Sequence, residues 1–137
     1  TKHFLSLVGE HLSVDNMNKA VQLASEEMNI SLPEFTVAGI PHGLFFAHHW
    51  YVACDDTVNQ EELKLKIDEH LKVLNDDYAV ERKSALKEIY LTVLPESSFM
   101  EFMRIKGKIG GQHKFPRVMK GKMYEDWQKF LESEVVR

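Results

Sequence analysis

Apolar and polar positions alternate with two different periods along this chain, and the switches between them mark its elements. His3-Phe4-Leu5-Ser6-Leu7-Val8 is an apolar run closed by Gly9, which predicts a first strand. Val14, Met17, Val21, Ala24 and Met28 then recur at steps of three and four, the spacing of one helix face. Ser13 or Asp15 caps that helix and Asn29 stops it, with Pro33 beyond. Phe35 to Ile40 reads as a short strand, and Pro41-His42-Gly43 as a turn. Leu44 to Cys54 follows as a long aromatic strand. Leu44, Phe46, His48, Trp50 and Val52 face one way, and Phe45, Ala47, His49, Tyr51 and Ala53 the other. Both sets are largely apolar, so this strand is expected to be central and covered on part of both sides. Asn59 and Glu62 have capping-box spacing ahead of the stripe Leu63, Ile67, Leu71, Leu74 and Tyr78, which predicts one helix. Glu88 to Leu94 is the fourth strand, ended by Pro95.

Strand–helix–strand–strand–helix–strand is the ferredoxin-like order, βαββαβ, expected to place both helices on one face of a four-stranded antiparallel sheet. Two further helices extend it at the C-terminal side. One runs from Ser98 to about Lys106, stopped by Gly107, and one from about Lys122 to Glu132, using Trp127, Phe130 and Leu131. No linker, repeat or low-complexity stretch divides the chain, so residues 1–137 are read as a single α+β domain.

Composition narrows the classes. With 44% apolar and 28% charged residues this is a globular chain, not a disordered one. No apolar run approaches the roughly 20 residues of a membrane span, and no signal-peptide pattern leads the sequence. A single cysteine, Cys54, excludes an internal disulfide and suits a reducing, cytoplasmic compartment. The chain starts at Thr1 rather than Met, as expected of a piece of something longer. The net charge of −4 conceals an asymmetry. Arg104, Lys106, Lys108, Lys114, Arg117, Lys120 and Lys122 put seven positive charges and no acid into residues 104–122, which leaves −11 for the remainder.

Most candidate chemistry dissolves on inspection. His48 and His49 are neighbours on one strand and point to opposite faces, so they cannot share a metal ion, and the other histidines lack partners at ligand spacing. No metal site is expected. A Cys-x-x-Cys of the heavy-metal-carrier kind is absent. Gly43-Leu44-Phe45-Phe46 loosely resembles the third-strand aromatic motif of RNA-binding domains, but its register fits poorly and the acidic remainder repels phosphate. Asp55 and Asp56 beside Cys54 disfavour a thiolate nucleophile. A non-catalytic ferredoxin-like module, binding a small ligand or weakly binding RNA, stays open at this point.

The basic segment is the exception. Gly107, Gly110 and Gly111 allow close backbone approach, and Pro116 holds Lys114-Phe115 extended. A loop that aims a lysine outward suits a polyphosphate, because an ammonium stabilises the charge that builds on a transferring phosphate. The Gly-x-x-x-x-Gly-Lys-Ser/Thr of a P-loop is absent.

Lys108-x-Gly110-Gly111-Gln112-x-Lys114-x-Pro116-Arg117, preceded by Pro95-x-x-x-Phe99, resembles the C-terminal domain of the auxin-responsive promoter family of acyl-acid amido synthetases. Thr1-Lys2-His3-Phe4 with Gly9-Glu10-x-Leu12 resembles the opening of that domain in bacterial members. The resemblance implies an adenylate-forming enzyme. With ATP and Mg²⁺ it would convert a small carboxylic acid to an acyl-adenylate, which an amine or amino acid then attacks to give an amide. It implies that this chain is a mobile lid closing over its own large N-terminal domain, which these residues do not include and without which they are inert. Lys114 would be the lysine delivered to the phosphates, in a loop shaped by Gly110, Gly111 and Gln112 and completed by Arg117, and Lys2 would lie at the hinge.

Overall fold

The computed structural model describes residues 12–107 and 114–136. The expected strand at 3–8, the hinge residue Lys2, and the loop residues Gly110, Gly111 and Gln112 lie outside the described residues.

Helix α1 (Val14–Met28) has the ends that its sequence dictates. The Ser13 side chain accepts the Asn16 N–H at 3.1 Å and occupies one of the unpaired donors of the first turn. At the other end Asn29 adopts a left-handed conformation, φ 55°. Its N–H reaches Glu26 O and that of Ile30 reaches Ser25 O, the paired bonds of a Schellman stop. Met17, Ala20, Val21 and Ala24 face the core.

Strands β1 (Phe35–His42) and β2 (Phe45–Ala53) form an antiparallel hairpin running from Phe35 opposite Val52 to His42 opposite Phe45. Gly43 supplies the positive φ of the turn. Helix α2 (Gln60–Leu74) begins at Asn59, which accepts the Glu62 N–H at 2.9 Å. The stripe from Leu63 to Tyr78 is not one helix, however. The backbone breaks at Asn75 (φ −145°), and a new helix α3 (Asp76–Lys83) starts there with Asn75 as its cap. Tyr78 is nevertheless buried, so the spacing correctly reports its environment.

Strand β3 (Leu86–Leu94), helix α4 (Glu96–Lys106), the two-residue strand β4 (Val118–Met119) and helix α5 (Gly121–Val136) complete the described chain. The class is α+β and ferredoxin-like, with a four-stranded sheet in the order β3-β2-β1-β4. The sheet is mixed rather than antiparallel. Only β1–β2 run in opposite directions; β2–β3 and β1–β4 are parallel. The reason is connectivity: α2 and α3 carry the chain back along the sheet, and such a crossover returns the next strand in the same direction. β4 occupies a place that no apolar run announces.

Helices cover both sides of the sheet. On one side Phe46, Trp50 and Val52 pack with Phe35, Val37 and the apolar faces of α1, α2 and α3. On the other, Tyr51 and Ala53 meet Phe99 and Phe102 of α4, Phe115, Met119, and Trp127 of α5. β2 is thus the central, two-sided strand that its alternation predicts.

Candidate functional site

The segment between α4 and α5 starts and ends on anchored residues. Gly107 closes α4 with φ 71°, a value a side chain would resist, and its N–H bonds to Arg104 O at 3.2 Å. On the far side Phe115 is 3% exposed. Its ring lies 4.8 Å from Phe99 and 5.2 Å from Trp127, centre to centre. Two residues on, Arg117 is tied to β1. Its Nη1 donates to Glu34 Oε1 at 2.7 Å and to Phe35 O at 3.0 Å, and its guanidinium lies 4.3 Å from the Phe35 ring centre. The Arg117 carbonyl accepts the Val37 N–H at 2.9 Å, which leads directly into β4.

Lys114 sits immediately before this anchor and is exposed. Because Phe115 commits its side chain to the core, the backbone position of Lys114 is fixed while its ammonium stays in solvent. A flexible four-carbon stem on a fixed base suits a point charge that must reach an oxyanion.

Four of the seven positive charges in the basic segment already have partners. Arg104 makes two bonds to Glu101, at 2.9 and 2.6 Å. Lys106 and Lys122 converge on Asp126 at 2.5 and 2.7 Å, and these two ammoniums hold its carboxyl down at about 2. Arg117 has Glu34. Among the described residues Lys114 and Lys120 are exposed and have no ion pair. The structure therefore concentrates the charge read along residues 104–122 into fewer available cations, one of them Lys114. It also gives Arg117 a connection to the sheet that sequence reasoning missed. The Lys122–Asp126 pair was legible from its i,i+4 spacing; Glu34 and Arg117 stand 83 positions apart and carry no local signal.

The other candidates are placed elsewhere. His48 lies inside the first core, 0% exposed, and burial, then the nearby Arg82 charge, pushes its imidazole down to about 3. His49 faces the opposite side, bonded through Nε2 to Thr92 Oγ1 at 2.8 Å, and burial lowers it to about 4. Neither can exchange a proton usefully near pH 7. Cys54 is buried, with its thiol 3.6 Å from Asp56 O. Of the Gly43-Leu44-Phe45-Phe46 run, Phe46 is buried in the first core. A cleft of about 380 Å³ opens between α4 and α5 over Phe102 and Phe130, but Lys114 is not on its wall. Among the described residues no helix is long and apolar enough to cross a membrane.

A mixed α+β sheet with helices on both faces, carrying an outward lysine on an anchored basic loop, defines a class of small domain. The family model of the GH3 family C-terminal domain matches residues 15–122, and the chain belongs to that family. The matched span includes the whole basic segment, so the resemblance read from residues 108–117 falls within it. Solved structures agree in fold. A GH3.15 acyl acid amido synthetase superimposes with a TM-score of 0.68 at 21% identity, over 87% of this chain. A structure described as AtGH3.15 acyl acid amido synthetase in complex with 2,4-DB gives 0.64 at 21% identity over the same share. In each case this chain spans 23% of the solved chain's length. No curated protein matches it in sequence.

Proposed function

We propose that residues 1–137 are the C-terminal lid domain of an ATP-dependent acyl-acid amido synthetase. The whole enzyme joins a small carboxylic acid, activated as its acyl-adenylate, to an amine such as an amino acid. The observation that carries this reading is Lys114, exposed on a segment pinned by Phe115 and Arg117, inside the span that matches the family. ATP supplies the activating nucleotide, with pyrophosphate as leaving group. Lys114 fits its phosphate oxygens by charge and reach, and Lys120 adds a second exposed cation. Glu34 is committed to Arg117, and Asp126 to Lys106 and Lys122. Mg²⁺ is accordingly assigned to ATP and the large N-terminal domain. The single buried cysteine is in keeping with a cytoplasmic enzyme.

In this reading Lys114 acts by holding oxygens whose charge rises as pyrophosphate leaves, while contributing little to acid binding. Lys114→Ala in the longer protein is therefore expected to slow ATP–pyrophosphate exchange about 100-fold or more, with the Kd for the carboxylic acid nearly unchanged. Exchange at the parent rate would remove Lys114 from the site.

A further inference from the structure

Among the described residues, α4 and α5 leave part of their side of the sheet uncovered, at the end where the β1–β2 hairpin turns. Phe45 and His49 of β2, Tyr90 of β3 and His42 of β1 bring four rings to that end. Phe45 is 44% exposed and Tyr90 40%, while Leu44 at the hairpin tip is 96% exposed. Two of the polar contacts here lie within the sheet: His49 Nε2 with Thr92 Oγ1 at 2.8 Å, and Tyr90 Oη with His42 Nδ1 at 3.4 Å. What is offered outward is ring surface. Lys87 Nζ stands 4.5 Å over the Phe45 ring at the rim. Single exposed apolar residues are ordinary on a protein surface, whereas a contiguous patch of them marks an interaction site.

We propose that this uncovered sheet face docks against protein, namely the remainder of the longer polypeptide of which this chain is one domain. The inference rests on the ligase-domain reading and adds the contact surface to it. Two observations select that occupant. This chain accounts for 23% of the length of the solved relatives, so a tethered partner of greater size is at hand. The patch also has the ring-rich composition of an interface centre, with Lys87 and Glu88 as its charged neighbours. A nucleic-acid strand would stack on such rings too, but it needs a cationic track along its backbone. This face offers Lys87 with Glu88 next to it.

Hydroxyl-radical footprinting of the longer protein tests the proposal, with the urea-unfolded protein as the rate reference and exposed Met100 as an internal standard. Phe45 and Tyr90 are expected to oxidise at least about five-fold more slowly than their exposure in this domain requires, as residues of a buried interface centre would. Oxidation at the rate their exposure sets would overturn the docking. So would protection that appears only as the protein dimerises, which assigns the face to a second copy, or only on adding an oligonucleotide. ATP–pyrophosphate exchange on the same sample separates the two ideas. Exchange with unprotected rings removes the docking alone, whereas protection without exchange keeps the docking and removes the ligase reading.

Discussion

His48 places a whole imidazole among Phe46, Tyr78 and the first core, and neither ring nitrogen has a hydrogen-bond partner among the described residues. Its surroundings hold Arg82 and Asp68, locked together by bonds of 3.0 to 3.3 Å, so the net local charge does not favour an imidazolium. Protonation thus favours the unfolded chain. With a folded value of about 3 against 6.5 unfolded, the contribution of His48 is fully present above pH 6.5 and is lost as pH falls toward 3. Between pH 7 and 5 that loss amounts to about 2 kcal/mol. The Asp126 carboxyl titrates lower, through 3.8 to about 2, and leaves this window to the histidines. Leucine at position 48 removes both the titrating group and the unpaired nitrogens and fills the site with an apolar side chain. His48→Leu is expected to unfold in urea at pH 7 within about 1 kcal/mol of the parent. It should also lose distinctly less stability on going to pH 5, the residue being His49. Parallel losses in parent and variant would show that His48 is not the acid-sensitive group.

Among the elements, those defined by nearest neighbours were legible. α1 was readable at both ends because Ser13 and Asn29 act within one turn, and α2 began where Asn59 caps it. The α2–α3 break was not, because Asn75 interrupts the backbone without disturbing the apolar stripe. Nor was β4, whose two residues form a strand by backbone pairing with Val37 and Ala38, beside an Arg117 tied to Glu34 and Phe35 from a distant part of the sequence. Parallel pairing of β2 with β3 likewise depends on the route of the chain, which no local period records. The joint at Asn75 deserves a test because one side chain serves two partners. Its Oδ1 accepts the Tyr78 N–H at 2.8 Å, starting α3, while its Nδ2 donates to Asn16 Oδ1 of α1 at 2.9 Å. Asn75→Ala removes both and is expected to cost about 1–2 kcal/mol in urea unfolding at pH 7. Asn75→Asp keeps the cap and gives up the donor, so it should fall between parent and alanine. An alanine variant as stable as the parent would mean that water replaces the cap without loss.

Across the whole molecule, the candidate site belongs to the second helical layer. That layer reaches the sheet through Tyr51, Ala53, Leu94 and Met119, but most of its rings come from α4, α5 and Phe115 themselves. It therefore has a core of its own, distinct from the one beneath α1, α2 and α3. The sequence revealed the ingredients, since Trp127 and Phe130 had helical spacing and Lys114 lay in a basic loop. It could not reveal that Phe115, one residue from the lysine, is a central piece of that core, because a single aromatic in a loop has no period. Phe115→Ala tests the connection. The vacated space beside Phe99, Phe102 and Trp127 should cost about 3–5 kcal/mol. If the second layer opens as a unit, hydrogen exchange should quicken at the amides of α4 and α5 while α1 and α2 keep their parent rates. Faster exchange spread evenly over all the helices would mean a single cooperative core. In the longer protein the same variant keeps Lys114 but frees its base, so ATP–pyrophosphate exchange should fall, by less than Lys114→Ala lowers it. That ordering follows from the role proposed for Lys114: an unpinned ammonium would still reach the phosphates for part of the time, whereas a missing one never would.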